Sequence, residues 1–156
     1  MSNTEKETAP VRQSVLVDCP IDLAFELFTE QVAEWWPLAA HSVSDDAAEC
    51  VIEPCVGGRV YERDRSGGEH EWGTVKTWDP PSRLSLTWNP EGRGGEQTVD
   101  INFTVEADGT RVTLIHTGWA GDGMEACAQH TQAIQQWTVV LECFARSARA
   151  NVLVYA

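Results

Sequence analysis

Three ionisable side chains, Glu62, His70 and His116, are the candidates for acid–base chemistry in this sequence. Strand alternation places Glu62 on the same face as Val60, so its carboxylate points inward if Val60 does. An inward carboxylate could serve as a general base, although a glutamate near a strand end more often faces solvent. His116 follows Leu114 at even spacing and can also point inward, but a hydrogen-bonded structural histidine is more common. His70 lies in a glycine-rich turn, where surface exposure is expected.

Other reactive motifs are missing from the sequence. There is no Gly-x-Ser-x-Gly elbow, and no cysteine has neighbours that mark it as a nucleophile. A metal site needs three or four converging ligands, and no two histidines lie four residues apart. The Gly57-Gly58 pair lies between two strands, which predicts a tight turn and not a phosphate site. We therefore expect no metal and no cofactor.

Tryptophan is the most informative residue type, with seven in 156 residues. Trp88 continues the inward face of Leu84 and Leu86, and Trp137 lies on the apolar stripe of a long C-terminal helix. Both side chains are expected between a sheet and that helix. An indole in this position either fills the core or lines a ligand pocket, and the two cases grade into each other.

Trp35 and Trp36 are adjacent and are followed at once by Pro37. A short helix that Thr29 can cap must end near Trp36, because Pro37 disfavours a helical conformation in the residue before it. Neighbouring helical positions are about 100° apart, so the two rings are not expected at the same depth. We expect one indole to anchor the helix to the sheet and the other to border a cavity mouth; the sequence leaves open which.

The elements that position these residues begin after a lead-in, residues 1–10, with the composition of a disordered tail. The β-branched stretch Val11–Val17 predicts a strand. Asp18 or Cys19 can then cap a first short helix that has Pro20 in its first turn, where proline loses no needed hydrogen bond.

From about Glu49 the sequence reads as a series of strands. The strand at 98–105 alternates cleanly, and Ala107–Thr110 predicts a hairpin turn of the Asp-Gly kind. The predicted strands are Val51–Pro54, Arg59–Asp64, Trp72–Trp78, Leu84–Asn89, 98–105 and Arg111–Thr117. The buried face of the 98–105 strand is predicted to carry Val99, Ile101, Phe103 and Val105.

The tail, about Met124–Leu153, predicts one long amphipathic helix. Its predicted apolar stripe consists of Ile134, Trp137, Leu141, Phe144 and Ala148. A one-sided antiparallel sheet and such a helix can bury each other's apolar faces. The expected fold is therefore α+β, with two short helices after the first strand and about seven strands packed on a C-terminal helix.

Short motifs follow one another in the order of these elements: Trp35–Pro37, Val56–Val60, Gly73–Val75, Pro80–Trp88 and Gly109–Leu114. With them the chain resembles the SRPBCC (START-like) superfamily, in particular its branch related to the activator of heat-shock-protein-90 ATPase. The resemblance implies a helix-grip fold, in which residues 11–156 form one domain whose curled sheet surrounds the C-terminal helix. It also implies a cavity between sheet and helix.

Members of this superfamily bind or transform apolar and aromatic small molecules, so binding such a molecule is the expected function. The alternatives are a cyclase, dehydratase or hydrolase that uses a cavity carboxylate or histidine, and a co-chaperone-like interaction module. The eukaryotic co-chaperone has a further N-terminal domain for which this chain has no room, so a chaperone partner is not expected. The residues expected to line the cavity are Trp35, Trp36, Val60, Trp72, Trp88, Phe103, Trp119, Trp137 and Leu141.

Charge and cysteine content narrow the expected partners and compartment. The net charge of −13 would repel nucleic acid and anionic membranes. Five cysteines without a C-x-x-C pair, and a polar N-terminus without a signal sequence, favour the reducing cytoplasm. No dimer interface can be read from these residues, so a homodimer stays open.

Overall fold

The computed structural model describes residues 10–38, 41–89, 97–118 and 124–155, the side chains of 124–129 and 151–155 excepted. The predicted tail at residues 1–10 therefore lies, apart from Pro10, outside the described residues. The elements are β1 (Val11–Val17), α1 (Ile21–Thr29), α2 (Val32–Trp35), β2 (Ala47–Ile52), β3 (Arg59–Asp64), β4 (Glu69–Asp79), β5 (Arg83–Thr87), β6 (Thr98–Glu106), β7 (Gly109–Thr117) and α3 (Met124–Tyr155).

The seven strands form one curled antiparallel sheet in the order β1-β7-β6-β5-β4-β3-β2. Strands β2 to β7 form a meander, in which consecutive strands are neighbours. The first strand, β1, pairs with the last, β7, and so forms one edge of the sheet, while β2 forms the other. The long helix α3 packs across the concave face, and the two short helices cover one end. The predicted α+β helix-grip fold is confirmed.

The core lies between the sheet and α3, but the helix faces it with a slightly different stripe from the one predicted. Trp137, Leu141, Phe144 and Ala148 are buried as expected. Ile134 is 40% exposed and was assigned wrongly, because the first buried position among the described side chains of α3 is one residue earlier, at Ala133. The main-chain carbonyl of Ile134 instead accepts a hydrogen bond from the side chain of Gln13 in β1, at 2.8 Å.

The β6–β7 hairpin is buried unevenly at its turn end. Val99, Ile101 and Phe103 are buried, but Val105 is 69% exposed, so its predicted burial is wrong. Its partner on β7, Thr110, is fully buried, so the end of the hairpin is covered on the β7 side and not on the β6 side. The turn also differs from the Asp-Gly prediction, since Ala107, with φ of 52°, and Asp108 are its central residues and Gly109 already belongs to β7. Gly109 is required for another reason: an added Cβ would lie 2.3 Å from the carbonyl oxygen of Val17.

The predicted helix caps are also corrected. Pro20 is itself the N-cap of α1, with no side-chain cap from Asp18 or Cys19. Thr29 is the last residue of α1, and its hydroxyl donates to the carbonyl of Phe25 at 2.7 Å, four residues back. The expected end of α2 near Trp36 is confirmed.

Strand boundaries differ from prediction mainly at β2, which covers Ala47–Ile52 and not Val51–Pro54. Residues 47–50 pair with the far half of β3, whereas Pro54 already belongs to the turn that ends at Gly58. Within the described ranges, no helix is long and apolar enough to cross a membrane.

Candidate functional site

Four tryptophans from four different elements meet on the concave side of the sheet. Trp36 follows α2, Trp72 lies on β4, Trp88 follows β5, and Trp137 lies on α3. We refer to these four residues as the tryptophan cluster. Their ring centroids lie 5.0 Å (36–72), 5.1 Å (88–137), 5.8 Å (72–88), 6.0 Å (36–137) and 6.3 Å (36–88) apart. These separations are within the range of favourable aromatic contacts.

The tryptophan cluster surrounds a small cavity of about 10 Å³, roughly the space that one water molecule needs. Its wall consists of aliphatic and aromatic side chains and one cysteine. The lining residues are Phe28, Val32, Trp36, Cys50, Val51, Ile52, Val60, Trp72, Leu86, Trp88, Val99, Ile101 and Trp137. An aromatic molecule can enter this space only if some of these side chains move.

Three indole N–H groups of the tryptophan cluster donate to protein acceptors. The Nε1 atoms lie 2.8 Å from the His41 carbonyl oxygen (Trp36), 2.7 Å from Glu62 Oε1 (Trp72) and 3.0 Å from His116 Nδ1 (Trp137). Because these polar atoms are satisfied, the rings present carbon and π-surface to the cavity. The cavity is therefore suited to stacking with a flat apolar ring.

Trp35 and Trp36 occupy different surroundings. Trp35 is buried, donates its indole N–H to the carbonyl of Leu27 at 2.8 Å, and packs on Phe28 and Phe144. Trp36 is half-buried and lines the cavity. Trp35 thus anchors α2 to α1 and α3, and Trp36 borders the cavity.

Glu62 points inward, as strand alternation predicted, and is fully buried. Its Oε1 accepts from the amide of Val43 at 2.6 Å and from the Trp72 indole at 2.7 Å, and its Oε2 accepts from the amide of Ser44 at 2.7 Å. Glu62 is not among the residues that line the cavity. This geometry suits a structural link better than a general base, which needs access to its substrate.

His116 lies behind Trp137, away from the cavity lining. Its Nδ1 accepts from the Trp137 indole, so its Nε2 carries the proton and donates to Gln97 Oε1 at 2.8 Å. Burial, with a smaller effect from nearby His130, lowers the pKa of His116 to about 4. The imidazole is therefore neutral near pH 7 and holds Trp137 in place.

His70 lies at the β3–β4 hairpin, near the surface, where its Nε2 is 3.0 Å from Asp64 Oδ2. The hydrogen bond to Asp64 raises the pKa of His70, and the same bond lowers the pKa of Asp64. Glu62 is paired with His70 across β3 and β4, and its charge also contributes to the raised pKa of His70. His116 lies apart with its own partners, so the three predicted acid–base candidates do not form one group.

Two further polar groups lie near the cavity. His41 Nδ1 is the one buried side-chain polar atom in the described ranges without a hydrogen-bond partner, and burial lowers the pKa of this residue. Cys50 lines the cavity, and burial, followed by the charges of Glu62 and Glu49, raises its thiol pKa to about 12. The Cys50 thiol is thus protonated at neutral pH and is a poor nucleophile.

The remaining predicted cavity residues are distributed as follows. Val60 lines the cavity, while Phe103 and Leu141 lie in the adjoining core. Trp119 lies outside the described residues. The lining residues that were not predicted are Phe28, Val32, Cys50, Val51, Ile52, Leu86, Val99 and Ile101. The alternation of Cys50 and Ile52 on β2 is a signal that could have identified two of them.

Among the described side chains, no group of three or more His, Cys, Asp or Glu residues could hold a metal ion. Cys19, Cys50, Cys55 and Cys143 are free thiols.

Comparison with known proteins identifies a family to which the chain is similar. The family model described as Activator of Hsp90 ATPase homolog 1-like protein matches residues 18–146. No curated protein is significantly similar in sequence.

Solved structures give closer comparisons. An anthrahydroquino-gamma-pyrone synthase, Txn09, complexed with SUM, is 34% identical over 90% of this chain and 97% of its own, with a TM-score of 0.57. DynU16, a protein in the dynemicin biosynthetic locus, is 21% identical over 92% of this chain, with a TM-score of 0.71. The chain covers 48% of DynU16, about half its length. BH1534 from Bacillus halodurans is 21% identical over 90% of this chain and 97% of its own, with a TM-score of 0.68.

Proposed function

We propose that this chain, which belongs to the Activator of Hsp90 ATPase homolog 1-like family of the SRPBCC superfamily, binds a planar aromatic small molecule within the tryptophan cluster. The observation that carries the proposal is the convergence of four indoles from four elements around one apolar cavity. An ordinary core needs apolar volume but has no need of four large rings at one point. Each aromatic pair adds about 0.5–1.5 kcal/mol beyond area burial, so a flat ligand that replaces ring–ring contacts can recover that energy.

The relatives support a fused-ring ligand. Txn09, at 34% identity, has a name that denotes an anthrahydroquino-gamma-pyrone, which is a fused aromatic ring system. A molecule of that class is flat and largely apolar, and it matches a wall made of π-surfaces. We therefore narrow the proposed ligand class from aromatic molecules in general to planar fused-ring molecules.

Binding requires the cavity to open, because about 10 Å³ holds no ring system. Trp72 and Trp137 are 3% and 5% exposed, whereas Trp36 and Trp88 are only partly buried. The Trp36 indole is held by its hydrogen bond to the His41 carbonyl, so the Trp88 ring is the one expected to move. A ligand would then stack against Trp72 and Trp137, which stay in place.

Isothermal titration calorimetry with 1,8-dihydroxyanthraquinone, a neutral fused-ring probe, tests this proposal. The matched variants are Trp88→Leu, within the tryptophan cluster, and Trp78→Leu, whose ring packs on Phe25 at 5.1 Å. We expect Trp88→Leu to weaken binding by about tenfold or more, as loss of a buried aromatic contact does, and Trp78→Leu to bind like the wild type. No binding by the wild type, or equal losses in the two folded variants, would refute the proposal.

A second candidate function is catalysis on the bound ring system, favoured by the 34% identity to a synthase. No carboxylate or imidazole is among the lining residues, so an acid or base would have to come from beside the cavity. His41 is the candidate, because its Nδ1 has no partner and its carbonyl accepts from the Trp36 indole. The test substrate is a phenol that carries an ortho 1,3-diketone chain, in which the phenol oxygen bonds to the distal carbonyl carbon and one water is released, a redox-neutral step that an acid–base group can assist. Loss of one water in the presence of the wild type and not of His41→Gln, followed by mass spectrometry, would favour catalysis over binding alone.

A further inference from the structure

A closed ring of contacts joins two walls of the cavity through a buried carboxylate. The Trp36 indole donates to the carbonyl of His41, and the same segment of chain continues to the amides of Val43 and Ser44, which donate to Glu62. Glu62 in turn accepts from the Trp72 indole, and the Trp72 ring packs 5.0 Å from the Trp36 ring. Four hydrogen bonds of 2.6–2.8 Å and one ring contact therefore form a circuit.

The position of Glu62 within this circuit is unusual for a glutamate. Its side chain has no exposed surface, and a buried carboxylate is costly unless hydrogen bonds replace its lost hydration. Both oxygens have N–H donors, and two of the three donors are main-chain amides in a stretch that is neither helix nor strand. A glutamine could not reproduce this arrangement, because its NH2 group would face the Ser44 amide donor.

The 41–44 segment depends on Glu62 because it has no strand partner to hold it in place. Its other anchors are local: the Ser42 hydroxyl donates to the carbonyl of Leu38 at 2.7 Å, and the His41 amide donates to the carbonyl of Pro37 at 2.9 Å. These bonds close local turns, whereas among the described residues the Glu62 bonds alone tie the segment to the sheet, over 18 or 19 residues of sequence.

We propose that Glu62 is a positioning residue for the cavity: it ties the Trp72 indole on β4 to the segment that holds Trp36, and so preorganises the two rings as one wall. The consequence for ligand binding rests on the proposed function, whereas the link that Glu62 makes between Trp72 and the 41–44 segment does not. A preorganised wall avoids the entropy cost of ordering two large side chains when a ligand binds. Glu62 thus contributes to affinity without touching the ligand.

Glu62→Gln tests the proposal, with Glu53→Gln as the matched control. Glu53 also accepts from a main-chain amide, that of Arg59 at 2.7 Å, but in a turn outside the cavity lining. In Glu62→Gln we expect the amides of Val43 and Ser44 to exchange hydrogen at least about tenfold faster, since a hydrogen bond to a charged group is lost. We also expect the indole N–H resonances of both Trp72 and Trp36 to shift and 1,8-dihydroxyanthraquinone to bind about tenfold more weakly. Glu53→Gln should show none of these changes.

Several outcomes would overturn the proposal. In a folded Glu62→Gln variant, an unchanged rate of amide hydrogen exchange at Val43 and Ser44 would be one such outcome. An unchanged Trp36 indole resonance would be a second, and an unchanged affinity for the probe would be a third. If Glu62→Gln does not fold, exchange in the wild type decides, because unprotected Val43 and Ser44 amides would rule out the link. If the wild type does not bind the probe, the proposed function fails, but the exchange and resonance measurements still decide the role of Glu62.

Discussion

At the scale of single residues, the direction of the Trp36 ring depends on the proline that follows it. Pro37 disfavours helical geometry at Trp36, whose φ and ψ are −65° and 131°. The chain therefore leaves α2 at Trp36, and the two indoles have different partners although their ring centroids lie 5.8 Å apart. Trp35 stays on the helix and turns toward Phe28 and Phe144.

This difference predicts unequal effects of two neighbouring substitutions. Trp35→Ala should lower the free energy of unfolding by about 3–5 kcal/mol, because it empties a buried site. Trp36→Ala should lower the free energy of unfolding by only about 1–2 kcal/mol, since the ring is half-buried. It should nevertheless weaken probe binding by more than this loss of stability explains. Urea unfolding of both variants provides the measurement. Equal losses of stability would show that the two rings are not differently placed.

The burial of His116 makes stability depend on pH. The unfolded chain takes up a proton at the ordinary histidine pKa of about 6.5, whereas the folded chain does so only near the lowered pKa of about 4. Since the unfolded state binds more protons between these values, stability falls as the pH drops from about 6.5 to 4.

In His116→Gln, whose amide oxygen can still accept from Trp137, this contribution is removed. From pH 7 to pH 5 the free energy of unfolding of the wild type should fall by about 2 kcal/mol more than that of His116→Gln. The reason is that pH 5 lies about 1.5 units below the unfolded pKa of about 6.5, and each unit is worth about 1.4 kcal/mol. Urea unfolding of both proteins at the two pH values measures the difference. Parallel losses in the two proteins would mean that His116 is not held neutral.

Residue-level prediction from sequence succeeded where strand alternation applies. The inward direction of Glu62 follows from its spacing to Val60, and the structure agrees. Its donors could not be predicted, because the Val43 and Ser44 amides come from an irregular segment 18 or 19 residues away. The local pattern specifies the face of a strand but does not specify which loop covers it.

At the scale of elements, a close approach of β4 and β5 places Trp72 beside Trp88. An added Cβ on Gly73 would lie 1.9 Å from the carbonyl oxygen of Thr87. The amide of Asn89 donates to the carbonyl of Trp72 at 2.7 Å, which continues the pairing past the end of β5. The two tryptophans flank this contact, and their ring centroids lie 5.8 Å apart.

Gly73→Ala should therefore destabilise the protein by about 2 kcal/mol or more, because backbone must move to accept the methyl group. Gly67→Ala is the control: its φ of 95° is strained for alanine, but no atom lies within 4 Å of the added Cβ. Its cost should be limited to about 1 kcal/mol of conformational strain. Thermal or urea unfolding compares them, and a Gly73→Ala cost no larger than that of Gly67→Ala would contradict the close approach.

The number and order of elements followed from the sequence, but packing decided how far their apolar faces extend. The alternation over 98–105 predicted the inward face of β6, yet Val105 is exposed although its partner Thr110 on β7 is buried. The 3-4 spacing predicted a stripe on α3 but included Ile134 in place of Ala133, since spacing alone does not fix the rotation of the helix against the sheet to within one residue. The convergence of four tryptophans depends on the curl of the sheet, which spacing along the chain does not encode.

At the scale of the whole molecule, the curled sheet and α3 create one place where distant residues meet. Trp36 and Trp137 are about a hundred positions apart in the sequence, yet their rings lie 6.0 Å apart. The whole chain carries a formal net charge of −13, which disfavours anionic ligands and favours a neutral or cationic ring system. Fold, cavity wall and net charge are therefore all compatible with a flat, uncharged aromatic ligand.

We propose above all that a flat, uncharged aromatic ligand binds within the tryptophan cluster. The most direct test is a titration of the 15N-labelled protein with 1,8-dihydroxyanthraquinone, monitored by the indole N–H resonances. We expect saturable shifts for Trp36, Trp72, Trp88 and Trp137 and an unmoved signal for Trp78. Unchanged signals for these four indoles at the solubility limit of the probe, or shifts confined to Trp78, would contradict the proposal.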